Sequence, residues 1–120
     1  MRLLTQFIMS TQMRRQLPFM RKLMRMSDRK RRALISICPK ELMDCFCECA
    51  VNILKGNVPL TPRQMSKLRR EKHNLRELAK KKTPVKEKKK ILQKGGFLSA
   101  LLAPTLSLLG SVLLPHLLRQ

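Results

Sequence analysis

The sequence predicts an all-α fold: a small basic helical hairpin with a short third helix, a flexible N-terminal arm and an apolar C-terminal helix. Three observations carry this reading. No stretch shows strand-length alternation. Apolar residues from Leu42 onward recur at three- and four-residue steps, the period of a helix face. Each helical stretch is bounded by proline, glycine or Thr-Pro punctuation. At 120 residues the chain has room for one small domain, divided into an arm (1–36), a basic helical region (37–94) and a diglycine junction with an apolar tail (95–120). Only the middle third mixes apolar and polar residues as a soluble core requires, and such a core supplies roughly 3–5 kcal/mol.

The arm carries Arg2, Arg14, Arg15, Arg21, Lys22 and Arg25 and no acid before Met26. Pro18 interrupts any helix there. An acid-free, Arg-rich start shares its composition with mitochondrial transit peptides, but it reads more simply as a poorly ordered basic arm. Arg29-Lys30-Arg31-Arg32 follows as a compact basic cluster suited to nuclear import or to phosphate.

The first helix is expected at 39–55. Pro39 suits its first position and Glu41 places negative charge in its first turn. Leu42, Met43, Cys45, Phe46, Cys49, Ala50 and Ile53 make one broad apolar stripe. Gly56-Asn57 supplies the left-handed turn that ends it. The second helix, at 62–81, has the sharpest start in the chain. Thr61 caps, Pro62 follows and Gln64 completes a capping box, with Leu60 and Met65 as a hydrophobic staple. Met65, Leu68, Leu75, Leu78 and Ala79 form a narrow stripe on a helix otherwise basic. Thr83-Pro84 restarts a third helix over 84–93 through Val85, Ile91 and Leu92. The five-residue link from Gly56 to Leu60 folds the first two helices into a hairpin.

No catalytic set emerges, so an enzyme is not expected. His73 has no Ser or Cys partner at motif spacing, and Glu71 and Glu77 sit among basic neighbours as a solvated face. Cys38, Cys45, Cys47 and Cys49 crowd together, but on a helix Cys47 points about 200° away from Cys45. Four convergent ligands are what tetrahedral zinc needs, so the thiols read as small core residues and no metal or cofactor is expected. Reduced thiols fit a cytosolic or nuclear setting.

Charge is the stronger signal. Net charge is +20, and between Pro62 and Lys94 fourteen basic residues face three acids. They are Arg63, Lys67, Arg69, Arg70, Lys72, Arg76, Lys80, Lys81, Lys82, Lys86, Lys88, Lys89, Lys90 and Lys94. Phosphate is the natural counter-ion, bound without sequence preference and with steep salt dependence. With no Trp or Tyr, base stacking on aromatic platforms is disfavoured. Anionic lipid would be drawn by the same charge.

After Gly95-Gly96 the chain runs from Phe97 to Leu118 without a charged side chain. As a helix this segment would reach about 33 Å, close to the thickness of a bilayer core. Ser99, Ala103, Ser107 and Ser111 form a ridge of small residues at four-residue steps, suited to close helix packing or self-association through the tail. Pro104 and Pro115 each remove a backbone bond and argue against a straight span.

The run GNVPLTPRQMSKLRREKHNLRELAKKK, followed by KKKILQKGGFLSALLAP, resembles the small basic proteins of Polinton/Maverick-type transposons and adintovirus-like elements. The resemblance covers Ile37 to the C-terminus, and the layout is similar to that of the adenoviral core-peptide precursors. It implies a virion core or minor structural role. It also implies an adenain-like cysteine protease as partner, cutting at the junction of Gly95, Gly96 and Phe97. Gln93 two residues before Gly95 departs from the Met, Ile or Leu those proteases prefer.

The expected function is therefore a non-enzymatic nucleic-acid-condensing protein, located in the nucleus or a virion. The alternative is a tail-anchored or membrane-active protein with a single C-terminal span through Phe97 to Leu118. Its basic region would be cytosolic and its lysines would lie on anionic lipid.

Overall fold

The computed structural model describes residues 10–118, with side chains to 108. Seven helices lie in this span: α1 (Thr11–Arg25), α2 (Asp28–Ser36), α3 (Lys40–Leu54), α4 (Pro62–Arg70), α5 (Lys72–Ala79), α6 (Val85–Leu92) and α7 (Phe97–Leu118). No strand occurs among the described residues. The fold is all-α.

Helix α3 is the hub. Eight of its fifteen residues are buried, including Phe46 and Cys49 at 0% exposure. It packs against α1, α5 and α7, while α7 also reaches α1, α4 and α6. Gly56, with φ of 75°, closes α3 in a Schellman turn: the Asn57 N–H donates to the Asn52 carbonyl at 2.9 Å and the Gly56 N–H to the Ile53 carbonyl at 3.1 Å. The capping box on α4 is formed as the residue types dictate. The Gln64 N–H donates to Thr61 Oγ1 at 3.2 Å, and the Thr61 N–H donates to Gln64 Oε1 at 3.0 Å.

The N-terminal arm departs from expectation. Residues 11–36 form α1 and α2 rather than a loose extension. Ser10 caps α1, its Oγ accepting from the Met13 N–H at 3.0 Å. Met13, Leu17, Met20 and Leu23 then recur at helical steps and are all buried. Pro18 does not end the helix because it lies on the exposed side, as does Arg14, whose carbonyl loses its bond where water can replace it.

The second helix of the sequence reading is two. An i+3 bond from the Glu71 N–H to the Leu68 carbonyl (3.1 Å) tightens the chain at Glu71, and α5 then lies along α3. Met65 turns outward at 41% exposure, since α4 meets the core through Leu68. The third helix begins at Val85, and Thr83 does not cap it.

The tail is part of the core. Phe97 is 1% exposed and Leu101 and Leu102 are 0% exposed, enclosed by α1, α3, α4 and α6. Pro104 is also fully buried, inside a helix that continues through it. Burying each such large apolar side chain contributes about 1.5–3 kcal/mol. No single helix among the described residues is long and apolar enough to cross a membrane. Val85–Leu92 and Phe97–Leu108 meet a span's length and composition only together, and they are bent 84° apart.

Candidate nucleic-acid interface

The basic helices owe their exposure to how little they bury. Helix α4 contributes only Leu68 to the core and α5 only Leu75 and Leu78. Their remaining faces are free for charge. Arg63, Lys67 and Arg70 follow four- and three-residue steps along α4, and Lys72 and Arg76 lie one turn apart on α5. Of the fourteen basic residues from Arg63 to Lys94, twelve are exposed and Lys89 is half-buried.

Few of these charges are neutralised within the protein. Lys80 Nζ lies 2.7 Å from Glu77 Oε2, and Lys90 Nζ 3.9 Å from Glu87 Oε1. The hydrogen bond from Lys80 holds the Glu77 carboxyl below its ordinary range. Exposed pairs of this kind are weak and give way readily to a phosphate. Lys94 Nζ donates to Asn74 Oδ1 at 3.4 Å and Lys89 Nζ to the Ser36 carbonyl at 3.0 Å, both neutral acceptors.

Lys88 is the correction to this set. It is 7% exposed, and its Nζ lies 3.3 Å from Cys47 Sγ, where no polyanion can reach it. In its place the fold supplies a surface that the sequence reading assigned to a loose arm. Arg14, Arg21, Lys22 and Arg25 line a groove of about 500 Å³ along α1, with Leu17 and Pro18 at its base. The signal was the spacing of Arg14, Arg21 and Arg25, seven and four residues apart beside the Met/Leu stripe.

Positive charge does not cover the whole molecule. Glu41, Asp44 and Glu48 follow helical steps on α3, Glu41 and Asp44 exposed and Glu48 half-buried. That side repels a polyanion.

The junction and the ridge are both structural. Gly96, with φ of 80°, makes the turn from α6 into α7, and a Cβ there would come 3.5 Å from Lys67 Nζ. Ser99 and Ala103 face α4 across a cavity of about 200 Å³ lined by Arg63, Gln64 and Lys67. Ser99 Oγ also accepts from Arg31 Nη1 at 3.0 Å. Ser107 is exposed, and the side chains of Ser111 and His116 lie outside the described residues.

Cys38, Cys45 and Cys49 are buried and Cys47 is half-buried. Burial pushes the Cys38 thiol up to about 11 and the Cys45 and Cys49 thiols up to about 12. Cys49 and the Thr105 hydroxyl meet across the α3–α7 contact, and that buried oxygen has no hydrogen-bond partner among the described residues. No three His, Cys, Asp or Glu side chains converge as metal ligands among the described residues. His73 is exposed on α5. The chain matches no family model, no curated protein and no solved structure.

Proposed function

We propose that the protein binds and condenses nucleic acid through the phosphate backbone, without sequence preference and without catalysis. The observation that carries this reading is the density of unneutralised charge: twelve exposed basic side chains between Arg63 and Lys94, two of them paired with a carboxylate. The α1 groove adds a second basic surface on a different helix. Two such surfaces allow one molecule to hold two duplex segments, which is what condensation requires.

The resemblance of residues 37–120 to basic proteins of Polinton/Maverick-type elements supports a virion core or minor structural role, in a nucleus or a particle. Cutting at Gly96–Phe97 by an adenain-like protease would require local opening first, because Phe97 is buried. Burial of Phe97, Leu101 and Leu102 weighs against the tail-anchored alternative, since insertion would empty the core.

Titrating a fluorescent duplex across a series of salt concentrations tests the proposal. Affinity should fall log-linearly with salt, with a slope of about −0.9 per phosphate contacted. Replacing Arg69, Arg70, Lys72 and Arg76 together by Gln should flatten that slope by about 3–4 while leaving the helical signal intact. An unchanged slope, or tighter binding to anionic liposomes than to DNA, would refute it.

A further inference from the structure

Helix α3 and the segment from Ala79 to Lys88 enclose a cleft of about 610 Å³. Met43, Val51 and Val85 give it apolar walls, and Cys38, Cys47 and Lys88 bring nitrogen and sulfur into it. A buried ammonium ordinarily finds a carboxylate or several oxygens. Asp44 and Glu48 line the same cleft, but neither lies within ion-pair distance of Lys88, whose hydrogen bond is to Cys47 Sγ at 3.3 Å. Cys47 is the one thiol of the four that is not buried. The amine and the thiol therefore sit within hydrogen-bond distance in a half-enclosed space open to small molecules.

We propose that Cys47 and Lys88 form an oxidative modification site, in which a hydroperoxide oxidises the Cys47 thiol and the Lys88 amine captures the product. In the first step the sulfur attacks the peroxide, the O–O bond breaks and an S–O bond forms. Sulfur is oxidised by two electrons, the peroxide is reduced, and Cys47 becomes a sulfenic acid with release of water or an alcohol. In the second step Lys88 Nζ attacks that sulfur and the S–O bond breaks. The hydroxide leaves with a proton from the amine as water, and an S–N bond joins α3 to α6. Two thiol equivalents reverse it, returning the free Cys47 thiol and Lys88 amine and leaving a disulfide of the reductant. Lys88 is the capturing group because no other nitrogen is hydrogen-bonded to a cysteine sulfur among the described residues. A Cys47–Cys38 disulfide is disfavoured because Cys38 precedes α3 and Cys47 lies two turns along it, which sets their Cα atoms beyond disulfide reach.

The test treats the full chain with equimolar hydrogen peroxide, then blocks free thiols, digests the protein and maps it by mass spectrometry. The expected product joins the Cys47 and Lys88 peptides, lighter by about 2 Da than their sum and released by dithiothreitol. In Lys88→Arg, which keeps bulk and charge but not a nucleophilic amine, Cys47 should stay trappable by dimedone and the cross-link should vanish. A circular dichroism spectrum matching the wild type shows that this variant is folded. Should it not fold, dimedone competition in the wild-type chain gives the same answer, since trapping must suppress the cross-link. A Cys47–Cys38 disulfide, equal oxidation of all four thiols, or dimedone labelling of Cys47 that Lys88 does not alter would each overturn the proposal.

Discussion

Helix α3 and the α4–α5 pair, which meet through α5, divide their tasks. Helix α3 buries eight of fifteen residues and carries three acids to one lysine. The seventeen residues of α4 and α5 bury three and carry six basic residues to one acid. One region holds the fold and the other presents charge, so substitutions in the two should have separable effects. Exposed Lys and Arg exchanges on α4 and α5 are expected within about 0.5 kcal/mol of neutral. Core exchanges on α3 are not.

The largest break in that contrast is Phe46→Ala. Phe46 is 0% exposed at the centre of α3, and its loss should cost about 3–5 kcal/mol. Chemical denaturation followed by circular dichroism would read this as a drop in midpoint. DNA affinity, measured where the variant remains folded, should hold.

Next comes alkaline pH. A thiol raised by burial favours its neutral form in the fold, so its stabilising effect is complete below the ordinary value of 9.0 and is lost as pH climbs toward about 12. Each such thiol should weaken the fold by about 1.4 kcal/mol per pH unit above its ordinary value. Urea midpoints at pH 8, 9, 10 and 11 should fall less steeply in Cys49→Ala than in the wild type. Lysine titration is common to both proteins and drops out of the comparison.

The smallest effect sharpens the contrast instead of breaking it. Thr61→Ala removes one arm of the capping box at the start of α4 and should cost about 1 kcal/mol. Because α4 adds only Leu68 to the core, the loss should show as fraying of α4, seen by faster amide exchange at Arg63 and Gln64, before it shows in global unfolding.

What was legible in the sequence follows the same division. The α3 stripe, the Gly56 turn and the Thr61–Gln64 box were readable because each is a local pattern whose physics is complete within a few residues. The α1 stripe was there too, in Met13, Leu17, Met20 and Leu23, but it was outweighed by a proline and by charge without acids. Composition is a poor guide when one face of a helix carries the charge and the other the core. Lys88 was illegible for a different reason. Its neighbours Lys86, Lys89 and Lys90 are identical in kind, and only the placement of α6 against α3 singles it out. The tail's place in the core was not legible because an apolar helix in a protein core and one in a bilayer share a composition. What distinguishes them is whether other helices have apolar faces waiting, and here α1 supplies one.

The enclosure of α7 by α1 and α3 also has a kinetic meaning. The core joins Met13 to Leu108, near opposite ends of the described chain, so it closes only after the ribosome has delivered residues 97–108. Until then a strongly cationic nascent chain waits with the apolar faces of α1 and α3 uncovered. In a cell rich in RNA, the first anion this protein meets would meet it unfinished.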